Sequence, residues 1–413
     1  MEAMYKINCG GSVKVYNTEQ GDICTVICGI GDEIEIIYGG EVNNVYIGPE
    51  SRNIKAEIKE NHIFIKACEE KLAVVVNDDL KNPLYLFIYD KENVTPAPDI
   101  QNDSVIYYGG GNTYDVGEIY MQSGQMLWID YDTVVNGCII ADGAENIKIS
   151  GYGILNASKH QNGLQILNCN DVEITNLTLI KGSIEWANRI FCSNNVYIRD
   201  YKVISWGRYS DGLDLLGSQN VLAEKLFIRS EDDSVVLKTD KFGYKGSIKN
   251  VTVRDSVIWN GHGGNGIEIG YELNDAEVCD VLFENIDIIR TDEPTIYFRC
   301  GAVTIHNAGN GSVHDITYKD IRVESARQDF VYIGTIDNIA EWGNGGGTIR
   351  DIVIDNLTLT GGMAVPSFVG SDSEGRVSGV VFRNCGYLGK KIKNAEDFGM
   401  TVKNTEVIFK ERQ

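Results

Sequence analysis

The chain of 413 residues is poor in proline (six), methionine (six) and histidine (five), and short of positive charge. It has 37 lysines and arginines against 59 aspartates and glutamates, a net charge of −22. So anionic a surface argues against nucleic acid, an anionic membrane or a densely anionic polymer as partner. Helical periodicity is almost absent, and no apolar run approaches membrane-spanning length. The opening Met1-Glu2-Ala3-Met4-Tyr5-Lys6 has no basic stretch followed by an apolar one, so no signal peptide is expected. The ten cysteines do not form a disulfide framework. Cys169, Cys192, Cys279, Cys300 and Cys385 sit in or beside β-type runs as small core residues. Cys24 and Cys28 are too isolated to suggest a metal site. These absences predict a reduced, cytoplasmic protein.

What the chain does contain is a repeat. Segments that open on Asn or Asp, followed by a β-branched residue and then alternation, begin at Asn146, Asp171, Asn195, Asn220, Asn250, Asp280, Asp315 and Asp351, with a degenerate copy at Gly379. Successive starts differ by 25, 24, 25, 30, 30, 35, 36 and 28 positions. A floor near 24 with insertions above it marks a solenoid whose loops grow on one face. Each copy runs into a second short strand, as in Ile198-Arg199-Asp200-Tyr201. A third follows at Gly212–Leu215, Ser234–Leu237, Gly266–Ile269 and Thr295–Phe298. Three short strands per coil, separated by Gly/Asn turns, predict an all-β right-handed parallel β-helix, a pectin-lyase-like solenoid over residues 96–413. The repeated Asn/Asp residues are expected to cap turns or to form stacked side-chain ladders.

Residues 1–95 lack the repeat. They alternate with period two, as in Glu33-Ile34-Glu35-Ile36, between glycine-rich turns, which predicts a small antiparallel β-sandwich. Thr95-Pro96-Ala97-Pro98 is the natural linker.

Chemistry concentrates at Ser210-Asp211-Gly212 and Asp232-Asp233. The 21 positions between Asp211 and Asp232 are nearly one minimal coil, so the three carboxylates should meet on one wall. Like charges held together raise one pKa and leave the others ionised, which suits acid/base hydrolysis. Alternation turns Leu213, Leu215, Val235, Leu237, Ile267, Ile269, Ile296 and Phe298 inward. Asp214, Lys238, Glu268, Tyr297 and Arg299 then face outward as candidate substrate-binding residues. Outward residues are polar in any soluble β-helix, so the acid pair Asp232-Asp233 carries most of the weight. The glycine-rich Gly261-His262-Gly263 falls in the next coil, where His262 could donate to a carboxyl or a sugar hydroxyl.

Taken in order, Ser210-Asp211-Gly212, Asp232-Asp233, Gly261-His262-Gly263 and Arg299 resemble the four-part signature of the polygalacturonase family, glycoside hydrolase family 28. The contexts Glu231–Lys238 and Val257–Asn260 are also similar to the dextranase and isopullulanase family, family 49, which pairs the same helix with an N-terminal β-sandwich. The resemblance covers roughly residues 100 to 390. It departs where Ser210 replaces the usual Asn, and where Phe298-Arg299-Cys300 lacks the lysine that completes a galacturonate subsite. The missing lysine and the net charge of −22 argue for a neutral α-linked glycan. For the dextranase family, His262 would be unexpected. The resemblance implies inverting hydrolysis, with Asp232 as acid and Asp211 and Asp233 activating water across roughly 6.5–9.5 Å. His262 would tune the acid, Arg299 and Tyr297 would hold the sugar, and no metal or organic cofactor is needed. An oligo- or polysaccharide is the expected partner; whether the chain forms a homo-oligomer is left open. Two alternatives remain at this stage: a β-helix polysaccharide lyase using Ca²⁺, and a noncatalytic glycan-binding β-helix.

Overall fold

The left-handed backbone conformation punctuates this chain at regular intervals. Asn146, Asp171, Asn195, Asn220, Asn250, Asp280, Asp315 and Asp351 all adopt φ between 52° and 57°, and Gly379 sits at 67°. Asn and Asp tolerate this region because their short side chains bond locally. The repeat read from the sequence is therefore a column of backbone kinks, one per coil. Five residues on runs a second column: Asn176, Asp200, Lys225, Asp255, Asn285, Asp320, Asn356 and Asn384. Between the two columns lies a short strand, and beyond the second the chain bends into the next sheet.

The computed structural model of the chain describes residues 3–182, 185–292, 299–337 and 341–411. It divides into two compact units, Met1–Pro98 and Asp99–Gln413. The first holds two five-stranded sheets around a shared core that includes Ile34, Ile36, Leu72, Val74, Leu86 and Ile88. One feature departs from the antiparallel expectation: Gly21–Cys28 and Leu84–Asp90 pair in parallel.

The second unit is a parallel β-helix. Equivalent residues stack coil on coil: Val196, Val221, Val251, Val281, Ile316, Ile352 and Val380 are successive partners in one sheet. Val380 also pairs with Val407, a final coil that the repeat had not announced. A second sheet includes Thr178–Lys181, Lys202–Ser205 and Phe227–Ser230. A third includes Asn188–Phe191, Leu213–Leu216, Val235–Lys238, Ile267–Tyr271, Gly301–Asn307 and Asp329–Thr335. Inward Leu, Ile and Val side chains of all three sheets fill one continuous core, each contributing roughly 1.5–3 kcal/mol by burial. Outside, Asn194, Asn220 and Asn250 form a ladder. Asn220 Nδ2 donates to Asn194 Oδ1 at 2.7 Å, and Asn250 Nδ2 donates to Asn220 Oδ1 at 2.7 Å.

The third sheet corrects one expectation. The strand beside Ile267–Tyr271 is Gly301–Asn307, not Thr295–Phe298, with Val303 and Ile305 as the inward residues. The step from Ile267 to its partner Val303 is 36 residues. Ile296, Tyr297 and Phe298 lie outside the described residues.

The ladder can be tested at Asn220, which is exposed and holds φ at 55°. Asn220→Gly keeps the backbone conformation and removes the ladder bonds, and should lower stability by about 1 kcal/mol. Asn220→Val also forces a β-branched residue into the left-handed region and should lower it by about 2–3 kcal/mol. Thermal and denaturant unfolding of the two variants should rank them in that order.

Candidate active site

Strand ends of the third sheet carry the acids. Asp211 precedes Leu213–Leu216, and Asp232-Asp233 precede Val235–Lys238. Because Leu213 pairs with Val235, the coil repeat here is 22 residues, and the partner of Asp211 is Asp233 rather than Asp232. The Gly212 N–H donates to the Asp233 carbonyl at 2.7 Å, which locks the two turns together. One oxygen from each of Asp211, Asp232 and Asp233 can be chosen so that all three lie within 4.8 Å of one another. Asp211 and Asp233 are buried, and Asp232 is half-buried.

Opposing cations and donors make this cluster tolerable. Lys238 Nζ donates to Asp211 Oδ2 at 3.0 Å and to Asp214 Oδ1 at 3.3 Å, with Glu272 Oε2 at 4.0 Å. The Trp186 ring covers the same ammonium, 3.6 Å from ring centroid to Nζ. Lys241 Nζ donates to the other Glu272 oxygen at 2.7 Å. Asn265 clamps Asp233 Oδ1 with its backbone N–H at 2.8 Å and its Nδ2 at 2.7 Å, while its own Oδ1 accepts from Gly301 N–H at 2.9 Å. The loop before it must be glycine where it touches the acids. A Cβ at Gly264 would lie 2.3 Å from Asp233 N and 2.6 Å from Asp232 Oδ1.

Protons follow from this crowding. Burial, with Asp211 beside it, raises the Asp232 carboxyl to about 8. Burial, then Asp211, Asp232 and Glu268, push Asp233 well above the carboxylate range. Asp214 is raised by burial and by Asp211. Lys238 is pressed downward by burial, but Asp211, Asp214, Glu272 and Asp233 outweigh it and hold the ammonium charged. Acids and lysines so closely packed titrate as a unit. Three carboxylate oxygens could hold a divalent cation; Lys238 already supplies positive charge at Asp211.

The outward column departs from expectation in exposure. Asp214, Lys238 and Glu268 point away from the coil core, yet are 0%, 4% and 0% exposed. Glu268 accepts from Thr304 Oγ1 and contacts His306 Nδ1 at 2.9 Å. The His306 ring stacks between Tyr271 and Tyr332, with centroids 4.4 and 4.2 Å away. A fully buried Glu268 supports the site from behind instead of meeting solvent. His262 is exposed on the glycine loop, its backbone N–H 3.5 Å from Glu231 Oε2. Arg299 precedes the Gly301–Asn307 strand and reaches to the following coils. Its Nε donates to Asp329 Oδ2 at 2.8 Å, Nη2 donates to the Pro366 carbonyl, and the guanidinium lies over Tyr332 and Phe368.

Sequence reasoning missed Asn265, Glu272, Trp186 and His306. Asn265 could have been found, since it lies three positions after His262 in the segment already singled out. The others reach the acids through the fold and leave no local signal.

A parallel β-helix with this acid cluster at the edge of one sheet places the chain in the polygalacturonase-like glycoside hydrolase superfamily. The chain belongs to glycosyl hydrolases family 28, whose profile matches residues 108–396. It is 22% identical over 378 residues to isopullulanase of Aspergillus niger, covering 72% of this chain and 64% of that protein. It is 23% identical over 222 residues to a polygalacturonase of Cryptomeria japonica, covering 45% and 40%. The matches thus span less than two thirds of either relative. Among solved structures, Dex49A from Penicillium minioluteum is similar with a TM-score of 0.70 at 12% identity, covering 98% of this chain and 93% of that one. An exopolygalacturonase from Thermotoga maritima is similar with a TM-score of 0.51 at 17% identity, covering 74% and 83%.

The raised carboxyl has a consequence for stability. An unfolded aspartate loses its proton near ~4, whereas folded Asp232 keeps it to about 8. The folded state binds the extra proton across that window, so this residue's contribution is fully present below ~4 and is lost as pH rises toward the folded value. Asp232→Asn should therefore be more stable than the wild type, by on the order of 2 kcal/mol, at mildly alkaline pH, with the gain vanishing below pH ~4. Unfolding curves of both proteins across pH test this.

Proposed function

We propose that this chain hydrolyses an α-linked, neutral glycan with Asp232 as the general acid. The observation that carries the reading is Asp232 itself. It is half-buried, keeps its proton to about 8, and has oxygens of Asp211 and Asp233 within 4.8 Å. A carboxylic acid that stays protonated near neutral pH can protonate a departing glycosidic oxygen. A water held between Asp211, anchored by Lys238, and Asp233, anchored by Asn265, would give its proton to Asp211 as it attacks the anomeric carbon. His262, exposed on the adjoining loop, would contact the sugar or the acid.

A neutral substrate is supported by how the cations are engaged. Lys238 is buried among acids, and Arg299 is bonded to Asp329 and to the Pro366 carbonyl. A uronate carboxylate would add negative charge to a chain already at −22. The match to isopullulanase across 72% of this chain points the same way. We take the product to form with inversion, as the family resemblance implies, with one water shared by Asp211 and Asp233. The spacing favours a second reading. Carboxyl groups about 5–5.5 Å apart are usual for retaining enzymes, which would make Asp211 a nucleophile.

A panel of α-linked oligosaccharides, followed by proton NMR of the first anomer released, separates the two. Inversion predicts the anomer opposite to the substrate, and retention the same one. On either reading Asp232→Asn should lower kcat by about 10²–10⁴ while glycan binding persists. The wild-type rate should fall as pH rises through about 8, where Asp232 loses its proton. Unsaturated, ultraviolet-absorbing products abolished by a chelator would instead assign a lyase.

A further inference from the structure

A second cluster with chemical character lies on the first sheet of the β-helix, on strands that carry none of the acids described above. Glu277 and Cys279 alternate outward on the strand Glu277–Thr291, with Val278 between them in the core. The coil stacking pairs Cys279 with His314, one strand over on Ser312–Val323. A carboxylate oxygen, the Cys279 sulfur and an imidazole nitrogen lie within 4.8 Å of one another. The His314 Nε2 atom is 3.2 Å from Glu277 Oε2.

The histidine is also oriented from behind. His314 Nδ1 is 2.7 Å from Asp315 Oδ2, so a proton held on Nδ1 leaves the Nε2 lone pair facing Glu277. A carboxylate that fixes the tautomer of an imidazole and sharpens its basicity is the usual outer partner of a metal-binding histidine. Asp315 has a second duty, because it occupies the left-handed kink with φ of 55°. Of the neighbouring cations, Lys249, the coil partner of Cys279, pairs with the other oxygen of Glu277, and Arg350, the coil partner of His314, pairs with Asp351 at 2.9 Å. His314 is 12% exposed and Glu277 35%, which leaves a path for an ion from solvent.

We propose that Glu277, Cys279 and His314 form a binding site for a thiophilic divalent cation of the zinc type. Sulfur, nitrogen and oxygen donors together suit zinc, cobalt or cadmium far better than calcium or magnesium, which take oxygen ligands. Tetrahedral coordination at about 2.0–2.3 Å needs donor separations of about 3.3–3.8 Å, so modest side-chain rotation closes the site. The Cys279 thiol gives up its proton to solvent as the sulfur–metal bond forms, and a water completes the fourth position. The ion would tie two successive coils together outside the hydrophobic core, independently of the hydrolytic reading.

Cobalt(II) titration of the chelator-treated full chain tests the site. A thiolate-to-cobalt charge-transfer band should saturate at one equivalent and disappear when zinc is added. Cys279→Ser should abolish the band and weaken binding at least tenfold, roughly. Asp315→Asn, which keeps a residue suited to the left-handed kink, should weaken binding about 10–100-fold with the band retained. Circular dichroism of the metal-free variants checks their folding. Cobalt bound without a thiolate band would place the ion elsewhere, for example at Asp211, Asp232 and Asp233, and would overturn the proposal. A band surviving in Cys279→Ser would do the same, as would no binding at all.

Discussion

Parallel coils in register bring side chains that are 22 to 36 residues apart to within one strand spacing of each other, about 4.8 Å. That spacing is the constraint on which the rest of this molecule depends. It sets Asp211 beside Asp233, Cys279 beside His314, and each asparagine of the outer ladder beside the next. Groups this far apart in sequence are held at that distance by the backbone hydrogen bonds that run along the solenoid. The same geometry would stack like charges without mercy, so the positions next to the acids cannot be chosen freely.

The surroundings of the acids are the solution to that problem. Two charges about 4 Å apart interact by about 4 kcal/mol at an effective dielectric near 20, so unrelieved stacking of carboxylates would unravel the local turns. Lys238 stands between Asp211 and Asp214, Asn265 donates twice to Asp233, and Asp232 is relieved by a proton. Each device is of a different kind: a counter-ion, a pair of donors, and protonation. The last is the one that leaves a transferable proton, and it falls on the only half-exposed member of the trio. Local instability and chemical usefulness therefore share one origin.

Much of this was legible in the sequence, for a reason that can be named. Repeats were visible because the left-handed kink admits few residues, so Asn and Asp recur at each coil and mark its phase. Inward and outward faces were visible because a strand has a period of two, and Leu213, Val235 and Ile267 obey it. The alignment failed in the third sheet, where the partner of Ile267 is Val303, 36 residues on, and not Ile296. Exposure was not legible at all. Asp214 and Glu268 are polar and outward, yet side chains from other coils cover them: Asp214 meets Lys238, which itself lies against the Trp186 ring, and Glu268 meets Thr304 and His306. Alternation tells which way a residue points, but the thickness of what lies above it depends on loops whose course the sequence does not encode locally.

The distribution of coil lengths then separates two tasks. In the third sheet the step from Leu213 to Val235 is 22 residues, whereas the next three steps are 32, 36 and 28. The shortest step joins Asp211 to Asp232 and Asp233, so the acids stand on turns with almost no slack. Extra residues enter after them, beginning with the hairpin of Asp240–Lys241 and Tyr244–Lys245. That hairpin sends Lys241 to Glu272 and sets Phe242 against Trp186, at 5.0 Å between ring centroids. Loops tolerate change far better than tightly packed turns do. A tight coil bearing the reactive groups, bordered by longer coils bearing the surfaces around them, allows what is recognised to change without disturbing the acid cluster. Ser210, and the segment after Arg299 that lacks the signature's lysine, are the two places where this chain departs from the family signature, and they show the difference. Ser210 is buried in the tight turn and hydrogen-bonds within it, to the Gly207 carbonyl at 2.8 Å, while Arg299 belongs to the long 36-residue step and its guanidinium is turned toward later coils.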